Sequence, residues 1–292
     1  MKVAIYSRVL EANQQKDIQL LFNELCDEHI VPVIFEPFLE EVQRYISLSD
    51  NTETFSSSKD LTRAIDYFIS LGGDGTLLDT VTLVRNKNIP IVGINFGRLG
   101  FLASIGRDEL RIAVKALAHR SVVIDKRALI HLDSNFSLFG EVPYALNEFA
   151  IHKRDTASMI KIHTYLNGEL LNTYWADGLL VATPTGSTGY SLSCQGPIVF
   201  PDACSFVLTP IAPHNLNVRS IVIPDNTIVS FEIESRSDDV IVALDSRREI
   251  VSKGVLLAVR KESFMLSLVR LNENNFLQTL RNKLSWGLDK RN

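Results

Sequence analysis

The chain has 292 residues, 46% hydrophobic and 22% charged, with a formal net charge of −4. This mix fits a globular protein that buries its core without disulfide staples, and the interspersed charge leaves no basic face for nucleic acid. The three cysteines, Cys26, Cys194 and Cys204, show no metal-ligand spacing and read as reduced thiols; no signal-peptide core follows Met1 and no apolar run spans a bilayer, so a cytoplasmic protein is expected.

In chain order, Lys2 to Tyr6 reads as a buried strand and Glu11 to Glu28 as a helix, with Ile18, Leu20, Leu21, Leu25 and Cys26 near helical spacing. His29 to Phe35 is β-rich, and Pro37 permits a second helix to about Ile46. Ser49 to Lys59 is polar and reads as a mobile loop. Tyr67 to Ser70 ends a buried strand, Gly72-Gly73-Asp74-Gly75 turns, and Thr76-Leu77-Leu78 opens a partly apolar run, Leu78 to Val84, that fits a helix start. Pro90 to Asn95 is another strand, and Arg107 to His119 an amphipathic helix. From Val122 onward β-branched residues and hairpin signals dominate. Met159 to Leu166 and Glu169 to Trp175 flank Asn167-Gly168, a two-residue hairpin turn. Further strand-like runs are Ser205 to Leu208, Ser220 to Ile223, Thr227 to Glu234, Val240 to Leu244 and Val255 to Val259. A short helix is expected around Gly186 to Leu192, and the tail, Asn275 to Trp286, returns to helical spacing. The pattern predicts an α/β N-terminal domain with a Rossmann-like parallel sheet over 1–119. A mostly antiparallel all-β domain follows over 120–268, and a tail over 269–292 packs back on the first domain, α+β overall.

Three stretches carry chemistry. A strand, a glycine turn and a helix N-terminus make a phosphate cradle, because glycines let backbone N–H groups approach oxygens and the helix dipole favours negative charge. Many strand-to-helix turns carry glycine for conformation only. Asp74 shifts the weighing, since a carboxylate there repels phosphate unless it takes a proton or holds a metal. The second stretch runs from Asp177 to Ser193: a buried strand, Leu179 to Ala182, meets Thr185, Gly186, Ser187, Thr188, Gly189, Tyr190, Ser191, Leu192 and Ser193. Such a density of hydroxyls and amides suits a neutral polar ligand such as a nucleoside, although helix capping alone would use one or two of them. The third is Asn147-Glu148 after the strand-like Pro143 to Leu146; alone this pair reads as a strand-end turn. The six histidines show no metal spacing, and the turn lacks the later glycine of a dinucleotide fingerprint.

Together Gly72-Gly-Asp-Gly75, Asn147-Glu148 and the Asp177–Ser193 block resemble the bacterial NAD kinases, with support from Val92 to Asn95, Leu99 to Leu102, Pro210 to His214 and Leu280 to Gly287. The resemblance covers nearly the whole chain. It implies transfer of the ATP γ-phosphoryl group to the 2′-hydroxyl of the adenosine ribose of NAD, giving NADP, with Mg²⁺ neutralising the triphosphate. It also implies that Asp74 takes the hydroxyl proton or places it, that Gly75 contacts the nucleotide through its backbone, and that Asn147 and Glu148 lie at the NAD site. Asp177, Thr185 and the run from Thr188 to Ser193 would hold base and ribose, in a homodimer or homotetramer whose sites are shared between subunits.

The chain departs from its relatives at Gly189, where many carry Ala, and at Trp175 and Asp79, where some carry a basic residue. Asp245-Ser-Arg247 replaces a more usual Asp-Gly pair, with Arg247 near a position that can touch NAD. The alternatives are a lipid or sugar kinase with the same glycine turn, and a dinucleotide sensor without catalysis. An apolar acyl pocket would mark the lipid kinase; the retained Asp74 speaks against the sensor.

Overall fold

The computed structural model describes residues 1–9, 11–97, 99–154, 159–271 and 276–285. The chain divides into two compact units, Met1–Lys126 with Leu266–Asn292, and Arg127–Met265.

The first unit is built on a sheet whose strands run in the order Glu53–Phe55, Val31–Phe35, Lys2–Ser7, Tyr67–Leu71, Ile91–Asn95, Leu266–Arg270 and Val123–Arg127, with Ile105–Gly106 joined to Ile91–Asn95. Lys2–Ser7, Val31–Phe35, Tyr67–Leu71 and Ile91–Asn95 pair in parallel. Tyr67–Leu71 is buried along its whole length, as a strand covered on both faces must be. Helix Gln15–Asp27 turns Ile18, Leu21, Phe22 and Leu25 inward, and Leu110–Ala118 turns in Leu110, Ala113, Val114 and Leu117. Both sets repeat at three and four residues, so each helix lays one stripe on the core.

Two expectations in this unit change. The polar stretch from Ser49 to Lys59 contains the strand Glu53–Phe55, paired with Val31–Phe35, and Phe55 is buried against Phe35 and Phe68. Asp60 then accepts the amides of Ser56 and Ser57 and fixes the following turn. A strand of three residues is too short to show period-two alternation, which is why composition misleads there. The helix after the glycine turn begins at Asp74, two residues before the Thr76-Leu77-Leu78 opening that the sequence suggests. Of the tail, Phe276–Leu284 is helical; Asn275 and Trp286, the ends of the expected helix, and Gly287 lie outside the described residues.

The second unit consists of two six-stranded sheets. One runs Ile221–Pro224, Ser205–Ile211, Gly178–Ala182, Glu148–Lys153, Asp239–Leu244, Arg247–Ser252; the other runs Glu169–Ala176, Ile160–Leu166, Val229–Glu234, Leu257–Lys261, Ile130–Ser134, Tyr144–Ala145. The pairings within them are antiparallel. Phe149 of the first sheet meets Phe231 of the second at 5.6 Å within one apolar core. The hairpin turn falls on Asn167 and Gly168, both at positive φ, as a primed two-residue turn requires. Arg247–Ser252, with no strand signature in sequence, is an exposed edge strand. The expected helix at Gly186 to Leu192 is a 3₁₀ turn, Gly186–Thr188, followed by one helical turn, Tyr190–Ser193. The parallel α/β unit and the antiparallel β unit together are the architecture expected.

Candidate active site

In the first unit the strand Tyr67–Leu71 ends at Gly72, whose φ of +144° favours glycine and where a Cβ would stand 2.5 Å from Thr76 Oγ1. The Gly73 carbonyl accepts the amides of Thr76 and Leu77, opening the helix at Asp74. The Asp74 carboxylate turns back onto the segment after the neighbouring strand. Its Oδ2 accepts Phe101 N–H at 2.9 Å, and its Oδ1 accepts Leu102 N–H at 3.1 Å and Ala103 N–H at 2.9 Å. One carboxylate therefore ties together the two turns at the carboxyl edge of the parallel sheet, where open α/β sheets bind ligands. Gly75 is exposed. Its carbonyl accepts the Arg8 guanidinium at 3.0 Å, which also grips Asp79, and Tyr6 donates to Asp79 at 3.1 Å. Asp79 thus anchors a cation that follows the first strand beside the glycine turn.

In the second unit Glu148 is not a turn residue. It starts the strand Glu148–Lys153 and is 9% exposed. Asn147 and Glu148 lie beside the hydroxyl block: at Gly189 a Cβ would be 3.5 Å from Glu148 Oε2 and 3.6 Å from Asn147 Nδ2, and at Gly186 it would collide with the Asn147 carbonyl at 2.1 Å. The two glycines let that backbone lie against the Asn-Glu pair. Thr183 locks the approach: its Oγ1 donates to Leu146 O at 2.6 Å and accepts Gly186 N–H at 3.1 Å.

Much of the hydroxyl density is spent within the fold. Thr188 Oγ1 donates to Thr185 O at 3.1 Å, and fully buried Ser191 shares a hydrogen bond with Thr209 at 3.0 Å. Thr185 is buried and accepts Arg127 at 3.3 Å. Tyr190 is 39% exposed and stacks on His152, ring centroids 5.8 Å apart. Leu192 is half-buried and Ser193 exposed on the same turn. Asp177 is held by Lys153 at 2.6 Å. Arg247 donates to the Val142 carbonyl at 2.6 Å and the Tyr144 carbonyl at 2.5 Å, with its guanidinium over the Phe139 ring. It braces the approach to Asn147 from behind.

Asp245 completes that brace, and sequence reasoning did not assign it. It accepts Leu146, Asn147 and Glu148 amides at 2.9, 2.8 and 3.2 Å. The contact spans 97 to 99 residues, so no local pattern announces it. Glu148 Oε2, by contrast, is buried without a hydrogen-bond partner among the described residues. Burial, reinforced by the Asp245 charge, pushes Glu148 up to about 8. Burial also pushes Asp245 up, but three N–H donors and Arg247 oppose it, so the proton of the pair resides on Glu148. Burial and Arg248 push His152 down, leaving a neutral ring under Tyr190.

The arrangement offers a carboxylate at a phosphate-type turn in one unit and a buried polar set beside an aromatic face in the other. Known proteins match the chain over nearly all of its length. The ATP-NAD kinase N-terminal domain matches residues 11–122 and the ATP-NAD kinase C-terminal domain residues 146–271. The chain is 51% identical to an NAD kinase of Cytophaga hutchinsonii, over 96% of this chain and 91% of that one. It is 45% identical to an NAD kinase of Flavobacterium psychrophilum over the whole of both. In fold it is similar to yeast NADH kinase complexed with NADH (TM-score 0.88, 23% identity, 99% of this chain and 89% of that one). It is also similar to an NAD kinase from Archaeoglobus fulgidus in complex with ATP (TM-score 0.75, 24% identity, 98% and 99%).

Proposed function

The chain belongs to the NAD kinase family and transfers the γ-phosphoryl group of ATP to the 2′-hydroxyl of the adenosine ribose of NAD, giving NADP; from that premise we propose how its residues divide the work. Phosphoryl transfer needs positioning and charge neutralisation more than covalent chemistry. A ribose hydroxyl is a poor nucleophile at neutral pH. Asp74 accepts its proton as the new O–P bond forms and the bond from the γ-phosphorus to the bridging oxygen breaks, releasing ADP. Such general-base help is worth about 10²–10⁴-fold. Gly75 meets the nucleotide through its backbone. The observation that carries this reading is the Asp74 carboxylate, seated by three amides at the first turn of the helix.

In the second unit Asn147, Glu148 and Asp177 bind polar groups of the dinucleotide. Thr185 and the run Thr188, Gly189, Tyr190, Ser191, Leu192 and Ser193 form the wall against base and ribose, Tyr190 contributing its ring. Arg247 acts through the segment it braces. Among the described residues no three His, Cys, Asp or Glu side chains gather as a metal cage. Mg²⁺ would enter with the triphosphate as MgATP, as this ion commonly does. The homodimeric or homotetrameric assembly and the cytoplasmic location rest on the family resemblance; no helix among the described residues is long and apolar enough to cross a membrane.

The test is to incubate pure protein with ATP, Mg²⁺ and NAD and to detect NADP with a dehydrogenase that accepts only NADP. Asp74→Asn abolishes turnover while NAD affinity stays within about an order of magnitude; comparable loss of binding and rate argues against a role in the chemistry.

A further inference from the structure

The seating of Asp74 leaves little freedom. A carboxylate offers about four lone-pair positions, two on each oxygen. Leu102 and Ala103 N–H occupy both on Oδ1, and Phe101 N–H occupies one on Oδ2. Among the described residues one position remains, on Oδ2.

What permits this seating is the residue just before the three amides. Gly100 is buried, and a Cβ built on it would stand 1.7 Å from Asp74 Oδ1, 2.4 Å from Cγ and 2.7 Å from Oδ2. The three nearest atoms all belong to the Asp74 carboxyl. Gly100 is not among the residues at positive φ, so space rather than backbone freedom demands glycine. Its own N–H donates to Ala103 O at 2.9 Å, closing the turn that carries the amides, so the backbone yields only by breaking that bond.

We propose that Gly100 is a positioning residue for phosphoryl transfer: by lacking a side chain it lets the amides of residues 101–103 seat Asp74 with the last lone pair of Oδ2 presented to the reacting hydroxyl. This rests on the reading that Asp74 receives the proton. A methyl group at position 100 drives the carboxyl out of the amide set, because ordinary contact needs roughly twice the 1.7 Å available. A misplacement of about 1 Å costs about 10²-fold in rate.

The experiment is a double-variant cycle on the full chain. Gly100→Ala is expected to lower kcat about 10²-fold with KM for NAD within about threefold, a split that a general loosening of the fold would not produce. It is also expected to lower Tm. In an Asp74→Ala background the colliding atoms are gone, so adding Gly100→Ala leaves Tm unchanged. If Gly100→Ala alone does not fold, the double variant decides: a folded protein supports the proposal and an unfolded one overturns it. Gly100→Ala with wild-type kcat, or a Tm loss equally large in both backgrounds, overturns the role of Gly100 while leaving Asp74 intact. Turnover retained by Asp74→Ala instead overturns the reading of Asp74, and this proposal with it.

Discussion

Replacing Glu148 by Gln asks whether the buried carboxyl is neutral in the folded protein. Its side chain is 9% exposed, has an oxygen without a partner, and faces Asp245. Its charge is also felt by Tyr190 and Cys194, both pushed up first by burial. Below the ordinary value of 4.5 both folded and unfolded chains hold the proton. Above it the unfolded chain releases the proton while the folded chain keeps it to about 8, so wild-type stability falls across that window and then levels. At 1.36 kcal/mol per pKa unit the whole span has an upper bound of about 5 kcal/mol, which water entering the site reduces. A fraction of that, on the order of 1–2 kcal/mol, still moves Tm by several degrees. Glu148→Gln mimics the protonated acid at every pH. Its Tm is expected to match wild type near pH 5 and to exceed it by a growing margin up to pH 8. Paired thermal melts from pH 5 to 8.5, without nucleotide, measure this. A Tm difference that does not change with pH refutes the neutral carboxyl.

The other predictions concern what holds Asn147 and Glu148 in place. Asp245→Ala strands the three amides of residues 146–148 and is expected to cost at least about 3 kcal/mol, with NAD affinity falling alongside; calorimetric melts and a binding titration check both. Thr183→Val removes the hydroxyl that joins Leu146 O to Gly186 N–H and is expected to cost roughly 2–4 kcal/mol, read as a lowered denaturant midpoint at unchanged m-value.

The motifs legible in sequence are those whose chemistry is local. Glycine at position 72 marks a backbone angle that a strand-to-helix turn needs, and Asn167-Gly168 marks a hairpin wherever it stands. Glu148 shows the opposite case. Beside Asn147 it reads as turn chemistry, yet it heads a central strand because Ala182 and Leu244 come alongside from elsewhere in the chain. The hydroxyls of the 185–193 block are equally ambiguous in sequence: a serine donating to a ligand and a serine paired with Thr209 are spelled alike.

Composition, periodicity and turn chemistry determine by themselves that a parallel α/β layer precedes a β-rich unit, and they draw attention to the Asp74 turn and the Asp177–Ser193 block; Asn147-Glu148, by itself an ordinary strand-end turn, stands out only through the family resemblance. Only the tertiary structure decides the state of those residues. Asp74 is seated by amides 27 to 29 positions away, and the atoms nearest a Cβ at Gly100 are those of that carboxyl. Glu148 keeps its proton because folding buries it and sets the charge of Asp245, nearly a hundred residues on, beside it. Charge and hydrogen bonding act through space, and proximity across such separations is created by folding, so a linear pattern cannot report it.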